Sequence, residues 1–194
     1  MYKKDRADRI REGDIFRDIE FIEDTFFTDD NQIGVSVLMF PYIVILSQDC
    51  DLESDIRARM KQPPPDCEGA EKKEVSTDTV IESILVCPCY DKNLFMVGTH
   101  LEEMNLGKMQ IWSADDTRWK ILVGNRDPRY HFLSGDKTLA INEMVIDFKH
   151  YYTIPRLKLY EEYQQKFVGT ICELYREDLS HRFSSYLSRI GTPR

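Results

Sequence analysis

No stretch of this sequence is apolar for long enough to cross a membrane as a helix. The longest apolar run, Val35 to Leu46, is broken by Ser36 and Pro41. It falls short of the roughly 18 residues such a span needs. Met1 to Arg11 is polar and lacks the apolar core of a secretory signal. A cytoplasmic protein with no membrane partner is therefore expected. Cysteine is scarce: there are five, an odd number, irregularly spaced. Without a secretory signal they are expected as reduced thiols rather than a disulfide framework. Basic charge is in deficit, with 26 Lys and Arg against 34 Asp and Glu and a net charge of −8. Non-specific nucleic-acid binding draws on cations that neutralise phosphates, so this balance argues against it. A local basic cleft for RNA remains compatible with an acidic surface, and the acidic balance also suits a basic partner. Internal repeats are absent, and the only low-complexity tract is Pro63-Pro64-Pro65.

What is present is an ordinary globular composition. Of the 194 residues, 42% are hydrophobic and 31% are charged. A chain of this length can bury roughly two-thirds of its unfolded surface without disulfide or metal. Residues 1–12 read as an N-terminal arm that is solvated. Gly13-Asp14-Ile15-Phe16 opens the folded part. Ile15, Ile19 and Phe21 share one strand parity, with Phe16 and Ile22 on the other. Tyr42 to Leu46 is a short, continuous aliphatic and β-branched run. It predicts a central strand buried on both faces, bounded by Pro41 and by Ser47-Gln48-Asp49. Residues 55–78 carry the proline triplet and many charges, and predict an exposed, mobile loop.

Val80 to Cys87 predicts a second buried strand. Ser113 to Asp116 reads as the N-cap of a short helix that Gly124-Asn125 ends. Tyr130 to Leu133 and Met144 to Phe148 predict a strand pair, with Tyr151 to Ile154 continuing the second strand. Lys166 to Cys172 predicts a last short strand. From Arg176 the period changes: Leu179, Phe183, Leu187 and Ile190 are spaced 4, 4 and 3 apart, one face of an α-helix. Gly191 is placed to cap it, with Pro193 beyond. The expectation is a mainly β domain over 13–172 with short insert helices, then an amphipathic C-terminal helix and tail over 173–194.

The order of these pieces resembles the MazF/PemK toxin family. Gly13-Asp14-Ile15-Phe16 is similar to the opening of that family's first strand. Phe40-Pro41-Tyr42-Ile43-Val44-Ile45-Leu46-Ser47 is similar to its Arg-Pro-Val-Val-Val-Ile-Ser strand. Ile84 to Cys89 and Met144 to Phe148 are similar to two later strands. The chain also resembles a wider group of bacterial barrel proteins with a Ser-Gln-Asp-Cys-Asp-Leu strand end and a late Arg-Phe-x-x-Tyr/Phe-x-x-Arg-Ile-Gly helix, here Ser47 to Leu52 and Arg182 to Gly191. The resemblance covers roughly Gly13 to Ile154. It implies an SH3-like barrel, usually a homodimer, that cleaves single-stranded RNA without a metal or other cofactor. It further implies a toxin–antitoxin or defence role with an antitoxin or other protein partner. Phe40 stands where the family carries its catalytic Arg, and Tyr90-Asp91 where it carries its Ser or Thr.

Three constellations could carry chemistry. Ser47-Gln48-Asp49-Cys50-Asp51 follows a fully apolar strand at once, at a rim where sites are commonly built. A Cys50 thiol would need a base, and His131 is the most credible one, with Asp49 or Asp51 to orient it. Alternatively, the Asp residues close a turn while Cys50 packs as a small apolar group. Cys87-Pro88-Cys89 with Cys50 and Cys67 could suggest zinc, but its C-x-C spacing is not that of common structural sites. Arg118, Arg126, Arg129, Tyr130 and His131, with Trp119, form a candidate RNA surface of phosphate-pairing cations and stacking rings. Asp115, Asp116 and Asp127 are interleaved, as in a salt-paired, solvated face. On the RNA reading, Arg129 and His131 act at the phosphate while Gln48, Asp49 and Asp51 shape the rim. A non-catalytic protein-binding barrel is the alternative.

Overall fold

The computed structural model describes residues 1–5, 7–60, 77–102, 107 and 109–189. The chain is mainly β, built on one antiparallel sheet. Its strands are β1 (Tyr2–Lys3), β2 (Asp14–Phe27), β3 (Ile33–Ile45), β4 (Ser83–Asp91), β5 (Tyr130–Leu133), β6 (Met144–Asp147), β7 (Tyr152–Pro155) and β8 (Phe167–Ile171). The order across the sheet is β1-β8-β2-β3-β4-β6-β5, with β7 also on β4. The described α-helices are α1 (Asp49–Met60), α2 (Lys92–Val97), α3 (Thr117–Val123), α4 (Arg156–Lys166) and α5 (Glu173–Leu187). None is long and apolar enough to cross a membrane.

Alternation along the strands explains why the sheet is covered on both faces. Ile43, Ile45, Val86, Tyr90, Phe132 and Val145 enter one apolar cluster, while Val44, Leu46, Cys87, Cys89, Leu133 and Ile146 enter the other. Successive side chains of a strand point to opposite sides, so a strand apolar at every position needs cover on both. Helices α1 to α4 supply Leu52, Phe95, Trp119, Leu122, Leu159 and Tyr163 to the first face. Helix α5 supplies Leu179 and Phe183 to the second. The expected central strand is thus buried as predicted. Pro41 does not bound it, because β3 runs through that residue. Arg17 pairs Tyr42 and Ile19 pairs Phe40, so the ladder skips the position opposite Pro41. Asp18 there has φ +54°, and its carbonyl accepts from Lys166 Nζ instead (2.7 Å). The missing proline N–H therefore breaks no ladder bond.

Several further elements match the sequence reading. β4, β5, β6 and β8 lie where strands were expected, and β5 pairs β6. α3 ends at Gly124, but its N-cap is Asp116, whose carboxylate accepts from the Arg118 amide, rather than Ser113. β7 does not continue β6: it turns away to pair with β4. Helix α5 begins at Glu173, and Leu187 on it is exposed rather than buried. Ile190, Gly191 and Pro193 lie outside the described residues.

Two expectations are corrected. The N-terminal arm is docked rather than solvated. β1 pairs β8, Ile10 is in the core, and Arg9 holds Asp49 through two 2.9 Å bonds. Asp55 to Met60 is the end of a helix, not loop. Asp55 is buried, where Arg59 Nε (2.7 Å), Arg156 Nε (2.5 Å) and the Ile81 amide (3.0 Å) all donate to it. This carboxylate joins α1, α4 and the entry to β4. The rest of the expected mobile loop, 61–76, lies outside the described residues.

Candidate functional site

The corner Ser47 to Leu52 divides by direction. Ser47 Oγ accepts from the Leu85 amide (2.8 Å), the Gln48 carbonyl starts α1, and Leu52 is buried. Asp49 is committed to Arg9 and also accepts from the Glu12 amide (3.3 Å). Burial pushes its carboxyl up, but Arg9 outweighs this and holds it below the ordinary carboxylate range. Gln48, Cys50 and Asp51 face solvent. Gln48 and Asp51 line a groove of about 420 Å³ against Ser180, Ser184 and Leu187 of α5. Half of this corner therefore builds the fold, and half is free to bind.

Cys50 and His131 share no hydrogen bond. The Cys50 thiol has Gln48 Oε1 and Asp51 Oδ1 as neighbours, each at 3.7 Å. His131 is buried on the α5 side of β5, its ring beside Phe148 (6.3 Å). Burial, then the Arg182 cation, pushes its pKa down to about 3, and its Nδ1 has no partner. A neutral imidazole sealed in the core is not placed to take a proton from a substrate. Cys87 and Cys89 are buried, and their thiols lie against backbone carbonyls. Burial raises both thiols. Among the described residues no group of three His, Cys, Asp or Glu could hold a metal ion. Cys67 lies outside them.

The expected basic surface separates into parts. Arg118 is exposed and lies over the Trp112 ring (5.2 Å). Arg126 is exposed. Tyr130 is buried, in edge contact with Phe95 and Trp112. Arg129 carries the most organised contact, with Nε and Nη2 bonded to the two oxygens of Asp147 at 2.8 and 2.5 Å. Asp147 is fully buried. These bonds raise the Arg129 pKa, so the guanidinium is permanently charged. Its Nη1 makes no hydrogen bond to the described residues.

His150, which the sequence reading did not single out, completes this arrangement. Its Nδ1 lies 3.5 Å from Asp147 Oδ2 and 3.2 Å from the Tyr90 hydroxyl. Among the described residues none hydrogen-bonds Nε2, and the side chain is 21% exposed. Burial lowers the His150 pKa, only partly opposed by Asp147, so the ring is neutral at neutral pH. A tyrosine hydroxyl bonded to Nδ1, with a buried carboxylate 3.5 Å away to stabilise an imidazolium, holds the ring as an acid–base histidine is held. Exposed Lys149 and Tyr151 flank His150 in the chain, and Tyr186, with Arg189 over its ring (5.7 Å), packs on the neighbouring Phe148 (6.0 Å). Nothing in the spacing of Lys149-His150 marks this site. It exists because β6 ends at Asp147 and the chain turns there, with the His150 amide bonded to the Asp147 carbonyl (2.9 Å).

The late Arg-Phe motif is structural. Arg182 donates to the carbonyls of Asn125, Asp127 (2.6 Å) and Tyr130 (2.7 Å). Phe183 packs on Phe148 and Tyr151. Of the positions where the resemblance places catalytic residues, Phe40 and Tyr90 are core, and Asp91 is half-buried and caps α2, accepting from the Asn93 amide (2.8 Å). Phe40 is 0% exposed and Tyr90 is 1% exposed. Phe40 packs on Phe21 and Tyr152. Neither the family models nor the curated proteins compared with this chain match it.

Proposed function

We propose that this chain is a MazF/PemK-like, SH3-type barrel that binds single-stranded RNA and cleaves it at His150. The observation that carries the reading is the His150 arrangement: a half-buried imidazole 3.5 Å from the Asp147 carboxylate that also fixes the Arg129 cation, with exposed Lys149 and Tyr151 on either side in the chain. Cations and stacking rings on one surface suit an unpaired strand. In the proposed step Nε2 takes the proton of a ribose 2′-hydroxyl as that oxygen bonds to phosphorus. The bond to the 5′-oxygen breaks, and that oxygen takes a proton from solvent. The products are a 2′,3′-cyclic phosphate and a 5′-hydroxyl. Asp147 stabilises the imidazolium, and Arg129 Nη1 is free for the phosphate. The setting implied is a toxin-type nuclease of a toxin–antitoxin or defence locus. Labelled single-stranded RNA should be cut by the native chain and left bound but uncut by His150→Ala. RNA that is neither cut nor bound better than by an acidic control protein would end this reading.

A second reading, a non-catalytic protein-binding barrel, is favoured by the burial of Phe40 and Tyr90. Here a protein segment would occupy the Gln48–Asp51 groove beside α5. It predicts intact RNA with the native chain, and a partner interaction weakened by Leu187→Glu. Native-chain cleavage that His150→Ala removes would count against it.

A further inference from the structure

β2 and β3 run well past the body of the sheet. Only Asp14 to Phe16 of β2 pairs β8, and only Ile43 to Ile45 of β3 pairs β4. From Arg17 to Phe27 and from Ile33 to Tyr42 the two strands pair with each other alone among the described strands. Residues directly opposite in an antiparallel pair share a face. One face therefore carries the pairs Glu20 with Met39, Ile22 with Val37, Thr25 with Val35, and Phe27 with Ile33. Its six apolar side chains are between 41% and 75% exposed. The opposite face is used: Phe21 and Phe40 pack on Tyr152 (5.2 and 5.0 Å). Nearer the tip, Phe26 lies across Gly34, where a Cβ would sit 2.6 Å from the ring. The exposed face presents on the order of 500 Å² of apolar surface, the size at which a patch marks an interaction site. A two-stranded ribbon alone is only marginally stable in water.

Charge decides what covers it. Between Arg17 and Met39 the chain has six acidic residues and one basic residue, Arg17. Glu20 shares the exposed face, Asp18 stands at its base and Asp29 and Asp30 at its tip, while Asp24 pairs Ser36 and Glu23 accepts from the Ser36 hydroxyl on the other face. A second copy would bring like charge against like charge. Shape narrows the occupant further. Two strands make a face roughly 10 Å wide, and Ile33 to Met39 spans about 20 Å at about 3.4 Å per residue. An α-helix of about 14 residues has that width and length.

We infer that the projecting β2–β3 hairpin docks a basic amphipathic helix of a partner protein. The helix lays its apolar stripe on Ile22, Phe27, Ile33, Val35, Val37 and Met39, and its Lys and Arg side chains meet the acidic rim. This surface is separate from the His150 site, and the inference does not rest on the RNA reading.

The test uses the full chain and two 14-residue peptides with leucine at helical spacing, one otherwise of lysine and one of glutamate. Fluorescence anisotropy should show the lysine peptide binding at least tenfold more tightly than the glutamate peptide. Phe27→Ser with Ile33→Ser, both at solvent-facing positions, should weaken the lysine peptide at least tenfold and leave the urea unfolding midpoint unchanged. Glu20→Lys with Asp30→Lys should remove the preference for lysine. Equal binding of the two peptides, or undiminished binding by the Ser variant, would overturn the proposal. So would a concentration-dependent dimer, seen by light scattering, that the same Ser substitutions abolish, because a second copy would then be the occupant.

Discussion

Replacing His131 by Leu should make the protein less sensitive to acid while changing little at pH 8. His131 is buried, its Nδ1 has no partner, and its pKa is lowered from 6.5 to about 3. The folded chain therefore keeps the ring neutral at pH values where the unfolded chain protonates it. Stability is unaffected above 6.5 and falls as pH drops below it, until about 3. Each pH unit in that window costs about 1.4 kcal/mol for one histidine, so the native chain should lose about 2 kcal/mol through His131 between pH 8 and pH 5. Other groups move over the same range. Burial raises Asp14 to about 6, so that residue gains stability on acidification. Burial lowers His100 to about 4, which acts in the same sense as His131. Both are present in either protein and cancel in the comparison. Leucine also removes the orphaned Nδ1, so the variant should be at least as stable as the native chain at pH 8. Urea unfolding followed by the fluorescence of buried Trp112 and Trp119 reads the difference at each pH. Identical pH dependence in the two proteins would refute the burial argument, and with it the exclusion of His131 as the acid–base residue.

Other parts of the structure yield further predictions. Asp55→Ala leaves Arg156 buried without its carboxylate and should cost about 3–5 kcal/mol in urea unfolding, the usual penalty for breaking a buried pair. Arg182→Met removes three guanidinium–carbonyl bonds and should cost about 2–3 kcal/mol, with hydrogen exchange accelerating first in α5. Gly98→Ala places a Cβ 2.4 Å from the Met109 carbonyl oxygen at φ +74°. It should therefore lower the melting temperature by more than a helix-propensity change alone would raise it.

What was legible in the sequence was the periodic part. Tyr42 to Leu46 and Ile84 to Cys89 are unbroken apolar runs, and Met144 to Phe148 is one interrupted only by Asp147; such runs form strands covered on both faces. Leu179 and Phe183 marked the α5 stripe. Helix α1 was hidden because only Leu52 and Asp55 on it are buried, so it has no apolar period to read. Its charges did carry a signal: Asp49 and Asp51 lie in the first turn and Arg57 and Arg59 in the last, matching the helix dipole. Helix α4 left Arg156, Leu159 and Tyr163 at spacings of 3 and 4, with an arginine standing where an apolar residue was sought. The site itself was half legible. Arg129 was found because arginine beside an aromatic is a recognisable pair, whereas His150 depends on the turn after β6 and on a tyrosine sixty residues earlier. His131 was favoured because it stands two residues from Arg129, but Arg129 lies just before β5 whereas His131 lies within it, and β5 is buried at every position.

The most direct test of the central claim is cleavage of a labelled single-stranded RNA by the native chain, His150→Ala and His131→Leu side by side. The His150 site predicts cutting by the native chain and by His131→Leu, with His150→Ala binding the RNA but leaving it whole. Equal cutting by the native chain and His150→Ala, or loss of cutting in a folded His131→Leu, would contradict it.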